Sequence, residues 1–389
     1  MHLFFSYLIR IRNFFSIEIF TENKYWRTLS FILFIGFIVR VAVCFFASLP
    51  HMHTDSFGYF EQAEAILQSG YVNYFPNGYP FIIAFFKLLS NDHIVSMLLW
   101  LNILLSVCTI FFISEIARIL FKSTAIAILA SFILAVFPTQ INYVRWLLTE
   151  VPTTFFLLGF YFFYLKNKNW YAGIFFGIAT VIRTEVIPIL LLILFLELIF
   201  RKRFRLAMLV GFLIPVITIS TYCYVKTGEF SMAGHSRVNI LYSITSSGGY
   251  VDWYYQDKHP EVKTSKQAME MYFEYMMEDP LRYFKNRMAN LWELWGFFPS
   301  SSDGSRSFLA RISIGLINFF LVFLGFYGWW LNRRKLFANL LMIPFLVVTA
   351  VHTVLLTLPR YTYTVEPFLI VFVAFTINQF LFPKRKIMQ

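Results

Sequence analysis

Apolar residues run along this chain in long blocks. The polar positions between the blocks are of two kinds, short basic clusters and longer Tyr- and Trp-rich stretches. A block of about 20 apolar residues matches the ~30 Å hydrocarbon core of a bilayer. Ten blocks are legible, at about 29–49, 94–120, 124–142, 151–165, 171–183, 185–200, 206–225, 308–331, 336–357 and 365–382. The fourth is short, and the fifth and sixth form a pair interrupted near Arg183–Glu185 and Pro188. This pattern predicts an all-α polytopic membrane protein of about ten transmembrane helices, with amphipathic juxtamembrane helices on the outer face. It divides the chain into a cytoplasmic or interfacial segment (1–28), a transmembrane core (29–225) with a first outer loop (50–92), an extracytoplasmic helical region (226–307), and final helices with a basic tail (308–389).

The basic clusters set the expected orientation. They are Lys24 and Arg27, Arg118 and Lys122, Lys166 and Lys168, the group Arg201, Lys202, Arg203 and Arg205, then Arg333, Arg334 and Lys335, and finally Lys384, Arg385 and Lys386. Ten crossings put all of them on one side, the positive-inside pattern, whereas an odd number splits them. Both termini are therefore expected in the cytoplasm and the two long polar stretches outside. The bias toward Phe, Ile and Lys fits a bacterial inner membrane. Only 14% of residues are charged, against about 25% in soluble domains. The net charge of +12 lies in these clusters, which reads as topology control and not as a nucleic-acid surface. Cys44, Cys108 and Cys223 each fall within a block, so they read as small packing residues with no disulfide or metal spacing. Charges interrupt the Phe-rich first ~26 residues; an interfacial helix is expected there, not a cleaved signal.

The first outer loop opens HMHTDSFGYFEQAEAILQSG. From Asp55 on, Phe60, Ala63 and Leu67 recur at helical spacing, and Gly70 marks a stop. A short surface helix with Asp55 at its N-terminal edge follows. Asp55 suits an N-cap, and a carboxylate fixed at a helix edge is equally well placed for chemistry. Pro76, Gly78 and Pro80 then make a turn, and the apolar segment at about 81–90 is too short to span.

An acid after the first span, an amphipathic helix and a Pro-Asn-Gly-Tyr-Pro turn resemble the GT-C superfamily of membrane glycosyltransferases. The nearest groups are the protein O-mannosyltransferases and the lipid A aminoarabinose transferases. The resemblance extends to RWLLTEVPTTFFLL with Glu150, to GIFFGIATVIRTEVIPILLL with Arg183, and to LPRYTYTVEPFLIVFVAF with Arg360, Tyr361 and Pro367. It covers about residues 29–205 and 355–382, and rests on the order and sidedness of the motifs. There are departures. Asn77-Gly78 stands where the aminoarabinose transferases carry a metal-meeting Glu-Lys pair, and the chain is shorter than both groups, without a soluble C-terminal domain.

The resemblance implies an inverting glycosyltransferase that takes a sugar from a polyprenyl-phosphate donor in the membrane and passes it to an unidentified acceptor on the outer face. Asp55 is then the base, and Glu150 supports it or orients the acceptor. Arg183, Arg360 and Arg145 are the phosphate ligands, and Tyr59, Tyr79 and Tyr361 line the substrate. Each residue also has a structural reading. Glu150 suits a helix N-terminus, Arg183 and Arg360 can snorkel, and Arg145 can pair with Glu150. Arg40 lies inside the first block, where it is functional by default or binds a buried acid. No cofactor is required; His51 and His53 with Asp55 offer ligands for a divalent metal only if the segment is extended.

In the second outer stretch Ser265–Glu278 and Leu281–Phe297 read as helices parted by Asp279-Pro280, with Trp292, Trp295 and Phe298 resting on lipid or core. GHSRVNILYSITSSGGYVDWYY offers aromatics for stacking on sugars, and His235 and His259 read as surface residues. Two competing classes remain. A transporter or flippase places its polar groups at mid-membrane on broken helices, and a polysaccharide polymerase works through loop arginines. No nucleotide-binding motif is present.

Overall fold

A computed structural model describes residues 22–47, 51–68, 71, 73–202, 204–297 and 308–382. The expected interfacial segment up to residue 21, together with Pro50, Gly70, Arg203, Phe298 and the tail lysines and arginine at 384–386, lies outside the described residues. The described residues contain no β-strand.

Each apolar block folds as helix. The first is α1 (Glu22–Val41), whose end widens into a π turn at Ala42–Phe46. The loop that follows carries α2 (Thr54–Leu67) and α3 (Gly78–Leu89). Then come α4 (Ile94–Phe121), α5 (Thr124–Val136), the short α6 (Pro138–Asn142), α7 (Glu150–Leu165), α8 (Asn169–Ile182), α9 (Ile187–Arg201) and α10 (Leu206–Thr227). The second long polar stretch forms α11 (Ser236–Thr245), α12 (Tyr255–Lys258), α13 (Ser265–Glu278) and α14 (Pro280–Leu294). The chain closes with α15 (Phe308–Asn332), α16 (Leu336–Val354) and α17 (Glu366–Leu381). By length and apolar character five helices can each cross a membrane, six with the bent α5–α6 pair; α7, α8 and α17 are apolar but shorter. A 16-residue helix such as α7 reaches only about 24 Å.

The third block is not the single helix its composition suggests. It bends by 55° at Phe137–Pro138, because Pro138 lacks an N–H and turns the residue before it extended. Arg40 repairs the break. Its Nη1 donates to Ala135 O at 3.1 Å and to Gly36 O at 3.0 Å, and its Nε to Ser106 Oγ at 2.7 Å. The guanidinium, fully buried, thus binds a helix C-terminus, where a cation is favoured. The partner is backbone carbonyl and hydroxyl, not the buried acid expected from sequence.

The helices pass in alternate directions, so their ends sort into two faces. At one end Glu115 receives Tyr25 Oη (2.9 Å) and Arg118 Nε (2.8 Å), with Lys166 at 3.7 Å. Lys335 lies over Phe121 at that end, and Arg201 over Phe337. Five of the basic clusters therefore share a face. α17 is the central post, with Phe368 through Ala374 all buried. In lipid such a post is held by close packing, since the tails are as apolar as its side chains. The same applies to α8 and α10. A Cβ at Gly173 would lie 2.1 Å from Met208 O, so only glycine permits that approach.

α13 and α14 follow the predicted boundaries, with Asp279 capping Arg282 N at 2.9 Å and Pro280 in the first turn. Trp295 is buried, while Trp292 is half exposed. The face that α2 buries is set by Ser56, Tyr59, Gln62 and Ala63, so Leu67 stays exposed.

Candidate active site

At the end of the bundle opposite the basic clusters, five separate segments bring charged side chains together. Arg360, on the 3₁₀ turn Pro359–Thr364, pairs through Nη2 with Asp55 Oδ2. Its Nε lies 3.7 Å from Glu150 Oε1. The same Glu150 oxygen lies 3.3 Å from Arg183 Nη1. Arg183 also donates from Nε to Glu185 Oε1 at 2.6 Å, and His352 Nε2 is 3.4 Å from that oxygen. The result is a row of alternating charge, Asp55, Arg360, Glu150, Arg183 and Glu185, with the His352 ring at its end.

The row has an open end and a closed one. The Asp55 side chain keeps 30% of its surface and Arg360 14%, but Arg183 keeps 6% and Glu150 3%. Glu150 begins α7, where the helix N-terminus favours its charge, and its Oε2 is buried without a hydrogen-bond partner. Tyr361 stacks on His352 at 4.0 Å and receives Arg183 over its ring at 5.0 Å. Burial alone would push the Arg360 pKa down, but Tyr361, Glu150 and Asp55 outweigh it and raise it well above the ordinary value.

Asp55 is not the cap of α2. His53 takes that place: its Nδ1 accepts from Asp55 N at 3.3 Å, and Ser56 Oγ accepts from His53 N at 3.0 Å, closing a capping box. Asp55 is left in the first turn with its carboxylate directed at Arg360. Arg360 Nη1 is also 3.4 Å from His53 Nδ1. Burial first, then Arg360, lowers the His53 pKa below its usual 6.5, so the ring is a neutral acceptor. A metal between His53 and Asp55 would have to displace this guanidinium, so the two residues do not fit the metal reading. No group of three or more His, Cys, Asp or Glu among the described residues could hold an ion.

The remaining expected residues fall close by, with altered surroundings. Arg145 donates to Asn142 Oδ1 at 3.0 Å and lies 4.0 Å over Trp146, whose other neighbour is His53, edge-on at 5.9 Å. Tyr59 and Tyr79 meet edge-to-face at 5.4 Å and are buried beneath the site; Tyr361 alone of the three keeps substantial exposed surface. Asn77 ties the first loop down. It accepts from Gln62 Nε2 at 2.8 Å and donates to Met232 O at 3.1 Å and Cys223 Sγ at 3.2 Å. Gly78 lets α3 abut the end of α8: a Cβ there would lie 2.7 Å from the Val181 and Ile182 backbone, one residue from Arg183.

Glu185 and His352 were not singled out from sequence. The usable signal for His352 is an ionisable residue inside an apolar block. Glu185 lies in the visible break between the fifth and sixth blocks.

The family model for dolichyl-phosphate-mannose-protein mannosyltransferase matches residues 76–224, which include Glu150 and Arg183. No curated protein matches the chain. Among solved structures, the fold is similar to the Archaeoglobus fulgidus oligosaccharyltransferase tethered to an acceptor peptide containing the NVT sequon, with a TM-score of 0.51 and 14% identity over 91% of this chain. The chain spans about half of that protein, 49% of its length. Residues 76–224 thus resemble a mannosyltransferase family, and the helical arrangement shares the fold of an oligosaccharyltransferase.

Proposed function

We propose that this protein is an inverting glycosyltransferase that moves a sugar from a polyprenyl-phosphate donor to an acceptor hydroxyl on the extracytoplasmic face of the membrane. The observation that carries the reading is the shared guanidinium of Arg360, which spans the exposed carboxylate Asp55 and the buried carboxylate Glu150. The family and fold comparisons support a lipid-linked donor. The charged groups of this row all lie at one end of the bundle, which favours chemistry at the interface over passage through the bundle.

A sugar phosphate carries its own leaving group, so the site must stabilise charge more than supply a proton. Arg360 is suited to the phosphate through its paired nitrogens. As the donor draws Arg360 away, the Asp55 carboxylate is freed to act as general base. The acceptor oxygen attacks the anomeric carbon and its proton goes to Asp55. The bond to the phosphate oxygen breaks, the electron pair stays on polyprenyl phosphate, and Arg360 balances that charge. Attack opposite the leaving group inverts the anomeric centre. Glu150 holds Arg360 through Nε, and Arg183, committed to two carboxylates, holds Glu150. Arg183 thus serves as a positioning residue, and Arg145 beside His53 and Trp146 is a second cation for the phosphate.

The test is release of polyprenyl phosphate from a panel of polyprenyl-phosphate sugars by the protein in proteoliposomes. The proposal expects release from at least one donor by the wild type and near-complete loss in folded Asp55→Asn. Equal release by the variant, or none from any donor, overturns it.

A further inference from the structure

From Asp55 a line of aromatic and polar side chains leads outward along the second outer stretch. Tyr74 comes first. Its backbone oxygen faces His235 Nδ1 at 3.0 Å. Its ring meets Phe75 edge-on at 4.8 Å, and Phe75 packs at 4.7 Å on Tyr59, one turn of α2 beyond Asp55. Arg237 is fixed by its bond to Val262 O at 2.5 Å. Tyr242 follows on α11, the helix that His235 opens. Its ring meets Trp253 edge-on at 5.1 Å. Trp253 is 48% exposed and Tyr254 73%. Beside them Arg237, Gln256, Asp257, Pro260 and Lys263 line a cavity of about 520 Å³.

Exposed aromatics at a membrane protein's edge commonly rest in the headgroup layer. The neighbours here argue otherwise. Asp252 and Lys258 pair at 2.6 Å on the same surface, and the cavity wall is mostly hydrogen-bonding side chains. The surroundings of Trp292 and Trp330 differ: they border a groove lined also by Phe297, Phe319, Val322, Phe323, Phe326 and Tyr327, with little polar surface. Flat rings flanked by carboxylate, amide and guanidinium groups suit a ligand with apolar ring faces and a rim of hydroxyls.

We propose that this line, from Tyr74 through Tyr242 and Trp253 to the cavity beneath Arg237, binds the acceptor, and that the acceptor is a carbohydrate chain. The proposal rests on the glycosyltransferase reading and adds the class of acceptor. A sugar chain stacked on Trp253 and bonded along the cavity would reach past Tyr74 with its terminal hydroxyl at Asp55.

The test uses the full chain in nanodiscs against an array of defined oligosaccharides, neutral, amino-sugar and uronate, together with Ser/Thr-containing peptides. Wild type is compared with Trp253→Ala, Arg237→Gln and, as a control on the apolar groove, Trp292→Ala. Selective binding of oligosaccharides of two or more units is expected. It should weaken about tenfold in Trp253→Ala and stay unchanged in Trp292→Ala. Trp253 is exposed, so its removal leaves the fold intact, and thermal unfolding checks this. Peptide binding without glycan binding, or glycan binding indifferent to both Trp253 and Arg237, overturns the proposal. Turnover separates it from the underlying reading. Sugar transfer with an acceptor KM unaffected by Trp253→Ala removes the acceptor surface and keeps the enzyme. Trp253-dependent glycan binding without transfer from any donor does the reverse.

Discussion

Asp55→Asn should do two things of opposite sign. It keeps the side chain's size and its place in the first turn of α2, where His53 and Ser56 supply the cap. The fold should therefore hold. Loss of the general base lowers kcat by about 10²–10⁴-fold. Donor binding, however, should tighten. In the unliganded protein Asp55 occupies Arg360, and a donor phosphate has to displace it. A charge pair at ~4 Å amounts to about 4 kcal/mol at an effective dielectric of ~20. Asp55 keeps 30% of its surface and Arg360 14%, and solvent at such a site reduces the net value to about 1 kcal/mol. Removing the competitor therefore strengthens donor affinity by about fivefold. The assay is a direct titration of the variant in nanodiscs with a polyprenyl-phosphate sugar, alongside single-turnover rates. A variant that turns over within about threefold of wild type would remove Asp55 as base, since loss of a base lowers rates by ~10²-fold or more. Weakened donor binding would show that Asp55 contributes to the donor site instead of masking it.

Four further outcomes follow. Arg183→Gln leaves Glu150 and Glu185 without their shared cation and should lower stability by about 3–5 kcal/mol, with Glu150→Gln recovering part of the loss in thermal unfolding. Arg40→Met uncaps the α5 carbonyls and should destabilise by about 2–4 kcal/mol, read as a lowered melting temperature in detergent. Gly78→Ala sets a Cβ 2.7 Å from the Val181 backbone; a loss of about 1–3 kcal/mol and slower transfer are expected, measured on the same preparation. His53 has a pKa depressed below 6.5, so the folded state resists its protonation. Stability and activity should be whole above about pH 6.5 and fall as pH drops through the lower, folded value; His53→Asn, another good cap, should flatten that acid limb in a pH–rate profile.

The helices were legible in the sequence because lipid imposes one demand, long apolar runs, that needs no knowledge of partners. The clusters of Lys and Arg were legible for a similar reason: their alternation with the blocks already encodes which ends share a face. The break at Pro138 was visible as a residue but not as a bend, since proline inside a membrane helix is tolerated whenever something else satisfies the freed carbonyls. Pro215 and Pro344 lie inside helices α10 and α16 that continue through them. Only the position of Arg40, about a hundred residues earlier, tells where the repair is made. Among site residues, Asp55, Glu150, Arg183 and Arg360 could be named from motif order, but not their pairings. Arg145 adjoins Glu150 in sequence, yet Glu150 pairs with Arg183 and Arg360. Tyr59 and Tyr79 sit near catalytic motifs, yet helical phase turns them into the core. Glu185 lies two residues after the motif arginine Arg183 and His352 lies in no motif; both matter through contact alone.

The charge of the site gives its chemistry a direction. Within the row three carboxylates, Asp55, Glu150 and Glu185, face two arginines, with Arg145 set apart against Asn142 and Trp146. A site built simply to bind a phosphate would carry an excess of cations. Here each arginine is already committed, and the two commitments differ. Arg183 is buried between two acids and has no way to leave them without stranding both charges. Arg360 is partly open, and the acid it would abandon, Asp55, reaches water and remains solvated when released. Of the two, only Arg360 can therefore exchange a carboxylate for a phosphate at small cost. That exchange uncovers the base just as the leaving group arrives, and so the donor should bind first. An acceptor that bound productively before the donor, with Asp55 still held by Arg360, would contradict this order.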